Sequence, residues 1–118
     1  MSRYTCLITV EAQRERVSQV LVDTLKTCNF DVIYKTSDYL MAREIPGQVP
    51  FAKFAKLVTA EVLIESPPAV NQGLRLRLVA KNEELPLHTD NHCQRIFRQL
   101  TQAISACEAL GLVEQVAS

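Results

Sequence analysis

Residues able to bind a metal or move a proton cluster in one short stretch of this chain, His88, Asp90 and His92, with Cys93 adjoining. Two histidines four apart lie on one face of a continuous helix and could share a metal ion. Pro86 and the capping residues Thr89 and Asp90, however, place His88 ahead of the helix start, and the second ligand group of an H-E-x-x-H motif is missing. A thiolate at a helix amino terminus can be a nucleophile with a neighbouring histidine as base. Adjacent helical residues point about 100° apart, and Cys93 opens an apolar stripe, so its side chain belongs to a core. Glu83 and Glu84 have no partner that would make them an acid–base pair and read as a solvated connection. The chain has no G-x-G-x-x-G, no G-x-x-x-x-G-K-[ST], no G-x-S-x-G and no zinc-finger spacing. The expectation is a protein that is not an enzyme, with no catalytic residue, cofactor or metal.

The elements around this stretch form one unit. The chain has 118 residues, 47% of them hydrophobic and 22% charged, which fits a single α+β domain over 1–118 with a sizeable core. Thirteen basic and thirteen acidic residues cancel, so no overall charge draws the chain to nucleic acid or acidic membranes. The amino terminus lacks the pattern of a secretion signal, and no apolar run approaches the roughly 18–20 residues that span a bilayer. The four cysteines (Cys6, Cys28, Cys93, Cys107) are scattered at core-like positions. Reduced thiols and a cytoplasmic location are expected.

Tyr4, Cys6, Ile8 and Val10 alternate with Thr5, Leu7 and Thr9, predicting a strand over 3–11. Val17, Val20, Leu21, Leu25 and Cys28 recur at helical steps over 12–29, and Asn29 suits the left-handed stop. A hairpin follows, with Phe30, Val32 and Tyr34 on one side of its first strand and Thr36-Ser37-Asp38 as its turn. Pro46-Gly47-Gln48-Val49-Pro50 breaks the pattern. A strand over 56–65 and another beginning at Leu74 form a second hairpin. Cys93, Ile96, Phe97, Leu100, Ile104 and Cys107 then mark a closing helix, with Thr89 or Asp90 as its cap and Gly111 as its stop.

The resulting order, β-α-β-β-β-β-α, implies an antiparallel sheet with two helices on one face. This order resembles the TATA-binding-protein-like and helix-grip architectures. The alternative, a ferredoxin-like sandwich, needs a helix near Pro46–Lys56.

The helix-free face then carries Leu57, Thr59, Glu61 and Leu63 beside Arg75, Arg77 and Val79, a mixture of apolar and charged groups suited to a protein contact. Tyr34, Tyr39 and Arg43 add a recognition edge at the first hairpin. These ten residues form the expected interaction surface for a protein partner, with a second copy of the chain among the possibilities. The other expectation is a small apolar or amphipathic ligand held between the sheet and the closing helix. Lys53, Lys56, Arg75, Arg77 and Lys81, with Phe51 and Phe54 as stacking groups, could form a nucleic-acid stripe, but neutral net charge and the absence of tryptophan argue against it.

Overall fold

The computed structural model describes residues 1–46, 57–66, 73–83 and 91–117. The alternating segments become strands β1 (Ser2–Val10), β2 (Phe30–Lys35), β3 (Tyr39–Glu44), β4 (Thr59–Glu65) and β5 (Leu74–Asn82), followed by β6 (Leu112–Ala117). The stripes become helices α1 (Arg14–Thr27) and α2 (His92–Ser105). The α+β class and the β-α-β-β-β-β-α order are those the sequence implies, extended by one strand. Phe51, Lys53, Phe54, Lys56, His88, Thr89 and Asp90 lie outside the described residues.

The strands form one antiparallel sheet in the order β2-β3-β4-β5-β1-β6. Consecutive strands from β2 to β5 are neighbours, whereas α1 carries the chain from β1 to the far edge and α2 carries it from β5 past β1 to β6. Both crossovers join parallel strands, and such connections are right-handed in about 98% of cases. Because β1 and β5 run antiparallel and their crossovers leave in opposite directions, one handedness sends both helices to the same face. Their apolar residues accordingly enter one core. Val17, Leu21 and Leu25 of α1 and Cys93, Leu100 and Ile104 of α2 meet Cys6, Ile8, Leu40, Val62, Leu76 and Leu78 of the sheet. Full burial of each large aliphatic side chain contributes roughly 1.5–3 kcal/mol, so a few such residues hold each helix down.

Helix ends follow local chemistry. Asn29 ends the α1 segment with φ 71°, and its amide side chain donates to the Ile45 carbonyl at 3.3 Å. The cap of α2 is Asn91, not Thr89 or Asp90, because its Oδ1 accepts from the Gln94 backbone N–H at 2.8 Å. The same side chain donates to the Tyr4 hydroxyl at 2.8 Å, tying the helix start to β1. Gly111 is not the stop of α2. That helix ends at Ser105, a short 3-10 turn spans Glu108–Leu110, and Gly111 at φ 64° redirects the chain into β6. The sequence reading missed β6 because Leu112-Val113 and a bulge opposite Thr9 and Val10 interrupt the period-two pattern.

A second bulge, between Val32 and Tyr34, corrects the first hairpin. Val32 pairs with Ala42 toward the helices, but Tyr34 pairs with Met41 on the opposite face. Strict alternation puts Val32 and Tyr34 together; one inserted residue separates them.

Gly73 enters β5 at φ 75°, and a Cβ there would lie 2.0 Å from the Val10 carbonyl oxygen. Both the backbone conformation and the close approach require glycine. Gly73→Ala is expected to lower stability by about 2–4 kcal/mol, read as a reduced urea midpoint with an unchanged m-value.

Candidate interaction surface

On the helix-free face, strand register arranges side chains in rows across the sheet. One row runs Val116, Leu7, Arg77, Leu63, Tyr39. The next runs Thr5, Val79, Glu61, Met41, Tyr34. A third runs Arg3, Lys81, Thr59, Arg43, Asp31. Tyr34, Tyr39, Arg43, Thr59, Glu61, Leu63, Arg75 and Arg77 therefore share one face. Leu57 stands just ahead of β4 and is half-buried.

Val79 is the exception. It occupies the expected face but is only 4% exposed, so it offers nothing to a partner. Its side chain is short, and its row and strand neighbours Glu61, Arg77 and Lys81 are longer, the arrangement in which aliphatic stems cover a short neighbour. Exposed apolar area sits instead at Leu63 (38%), Tyr34 (56%) and Val116 (45%). Met41, Leu7 and Val116 belong to the same surface and were missed. Met41 and Leu7 carry an alternation signal, whereas Val116 lies on the strand that the sequence conceals.

A polar network crosses the centre. Lys81 Nζ lies 2.6 Å from Glu61 Oε1, and the Tyr39 hydroxyl donates to Glu61 Oε2 at 2.7 Å. The hydrogen bond from Lys81 holds the Glu61 carboxyl below its ordinary range, helped by the Tyr39 hydroxyl and by the charges of Lys81 and Arg3, against the opposing effect of burial. Burial, the bond to Glu61 and that carboxylate's charge push the Tyr39 phenol up to about 12. The Tyr34 ring lies beside it, with centroids 5.9 Å apart and planes tilted by 56°. Arg77 Nε reaches Glu65 at 3.6 Å, a loose, exposed pair of little energetic weight.

The histidine and cysteine cluster resolves differently. Cys93 is fully buried in the core, with its Sγ 3.8 Å from the Ser2 carbonyl. His92 instead turns to Glu44 at the end of β3, its Nε2 lying 2.9 and 3.1 Å from the two carboxylate oxygens. Glu44 is buried and also accepts the Val58 backbone N–H at 3.0 Å. The Nε2 position of His92 is thus taken up by the Glu44 carboxyl. This pair fastens the start of α2 to β3 and to the entry of β4. No local spacing distinguishes Glu44, because its partner lies 48 residues away. Among the described residues, no three histidine, cysteine or acidic side chains converge as metal ligands would.

No protein-family model matches this chain, and no curated protein matches it. Its surfaces must therefore be read from their own chemistry. The open face has a tyrosine–carboxylate–lysine network at its middle and apolar side chains around it, with β2 and β6 as the outer strands of the described sheet. The array brings together aromatic, apolar and charged side chains, the types that contact surfaces use.

With Tyr4 and Tyr34 changed to Phe, absorbance at 295 nm should titrate with a midpoint near 12 for Tyr39, and Glu61→Gln should move that midpoint down while burial keeps it above 10. The sign follows from linkage: the raised phenol value contributes stability that is complete below the unfolded pKa and lost as pH rises through about 12. Separately, Glu44→Ala strands the Val58 amide and the His92 ring, and should cost roughly 3 kcal/mol in urea unfolding.

Proposed function

We propose that this chain is a non-enzymatic protein-interaction module, serving assembly or regulation through its open sheet face and the β2–β3 edge. The carrying observation is that, among the described residues, both helices pack on one face of the six-stranded sheet while the other face presents Leu63, Tyr34 and Val116 to solvent. Aromatic and apolar side chains framed by charge are the usual composition of a contact surface.

A second copy of the chain suits the charge pattern best. On this face β4 carries Glu61 and Glu65, while neighbouring β5 carries Arg75, Arg77 and Lys81. A two-fold axis parallel to the strands and midway between them lays the acidic lane of one copy over the basic lane of the other, with Leu63 and Arg77 on either side of the axis. Self-complementary patches of this kind suit closed dimers. All four cysteines are free thiols, which supports a reducing, cytoplasmic setting.

The test is light scattering after size exclusion over a micromolar to millimolar range. A dimer is expected, and Leu63→Lys should weaken it roughly tenfold or more while leaving the circular dichroism spectrum unchanged. A wild-type monomer throughout that range contradicts the self-association reading.

A further inference from the structure

At one end of the open face, where β3 ends, β4 begins and β5 ends, the chain encloses a recess of about 460 Å³ lined by Arg43, Thr59 and Lys81, with Leu57, Pro46 and Met1 supplying apolar wall. Its size falls within the range of small-molecule sites. Arg43, Thr59 and Lys81 are direct cross-strand neighbours on three adjacent strands, so two cations flank one hydroxyl with about 4.8 Å between strands. Arg43 is exposed, and its guanidinium, like the Thr59 hydroxyl, makes no hydrogen bond or ion pair among the described residues. Lys81 spends one donor on Glu61 at 2.6 Å, which anchors the ammonium and leaves its other donors available.

We propose that this recess binds a small organic anion, a carboxylate or phosphate head carried on a short apolar body. Arg43 and Lys81 grip the head from either side, and Thr59 donates from below. Leu57, Pro46 and Met1 cover the body. Guanidinium suits the head because its planar fork matches two anionic oxygens. Glu83 stands exposed at the rim, where its charge opposes a second negative charge on the ligand and favours a singly charged head. The recess needs only one copy of the chain, but it shares Arg43, Thr59 and Lys81 with the open face proposed for self-association, so the titration is repeated on the Leu63→Lys chain, whose expected ligand binding is at least as tight as that of the wild type.

The experiment is a titration of the full chain followed by amide chemical shifts, with hexanoate and hexyl phosphate as probes and hexanol, hexylammonium and inorganic phosphate as controls. Saturable shifts at Arg43, Thr59 and Lys81 with both anionic probes are expected, with hexanol and inorganic phosphate weaker and hexylammonium silent. Arg43→Gln should weaken hexanoate binding roughly tenfold, and Glu83→Gln should tighten it by about twofold. Both residues are exposed, and unchanged thermal midpoints will show that the variants fold. Equal binding of hexanol and hexanoate, or undiminished hexanoate binding by Arg43→Gln, overturns the proposal.

Discussion

The handedness of two helical crossovers governs this molecule. Once β1 and β5 run in opposite directions and their helices depart toward opposite edges, the right-handed rule leaves α1 and α2 only one side of the sheet. Everything else follows from that crowding. One face becomes a continuous hydrophobic core, and the other must meet water, a ligand or another protein with side chains alone.

The open face manages this exposure by layering long polar side chains over apolar ones. Lys81 and Tyr39 converge on Glu61, and Val79, beside Glu61 in the same row, is buried on the face opposite both helices. Where that layer thins, at Leu63 and Tyr34, apolar surface comes through. The same strand register that builds the network also places Arg43 and Thr59 beside Lys81 at the end of the sheet. Lys81, paired with Glu61, thus stands two strands from Arg43, which has no ion-pair partner among the described residues.

On the covered side, the residues that most resembled a reactive centre serve the architecture. Cys93 packs as a small hydrophobe, and His92 pairs with the buried Glu44. The same carboxyl also accepts the Val58 backbone N–H, so a single buried polar group joins two strands and a helix. Such a group is costly to bury alone and well tolerated when every oxygen is used.

Periodicity in the chain was enough to determine the number and type of most elements, the helix-facing residues and the membership of most of the open face, because side-chain direction in a strand or helix depends only on position within a short window. It could not place Tyr34, whose face depends on a bulge, or disclose β6, whose pattern is broken and whose pairing with β1 is distant in sequence. Nor could it tell that Val79 is shielded, that His92 belongs to Glu44, or that Arg43, Thr59 and Lys81 stand side by side. Those facts are decided by strand register and by which long side chains lie over short ones, and both arise only when segments far apart in the chain are brought against each other.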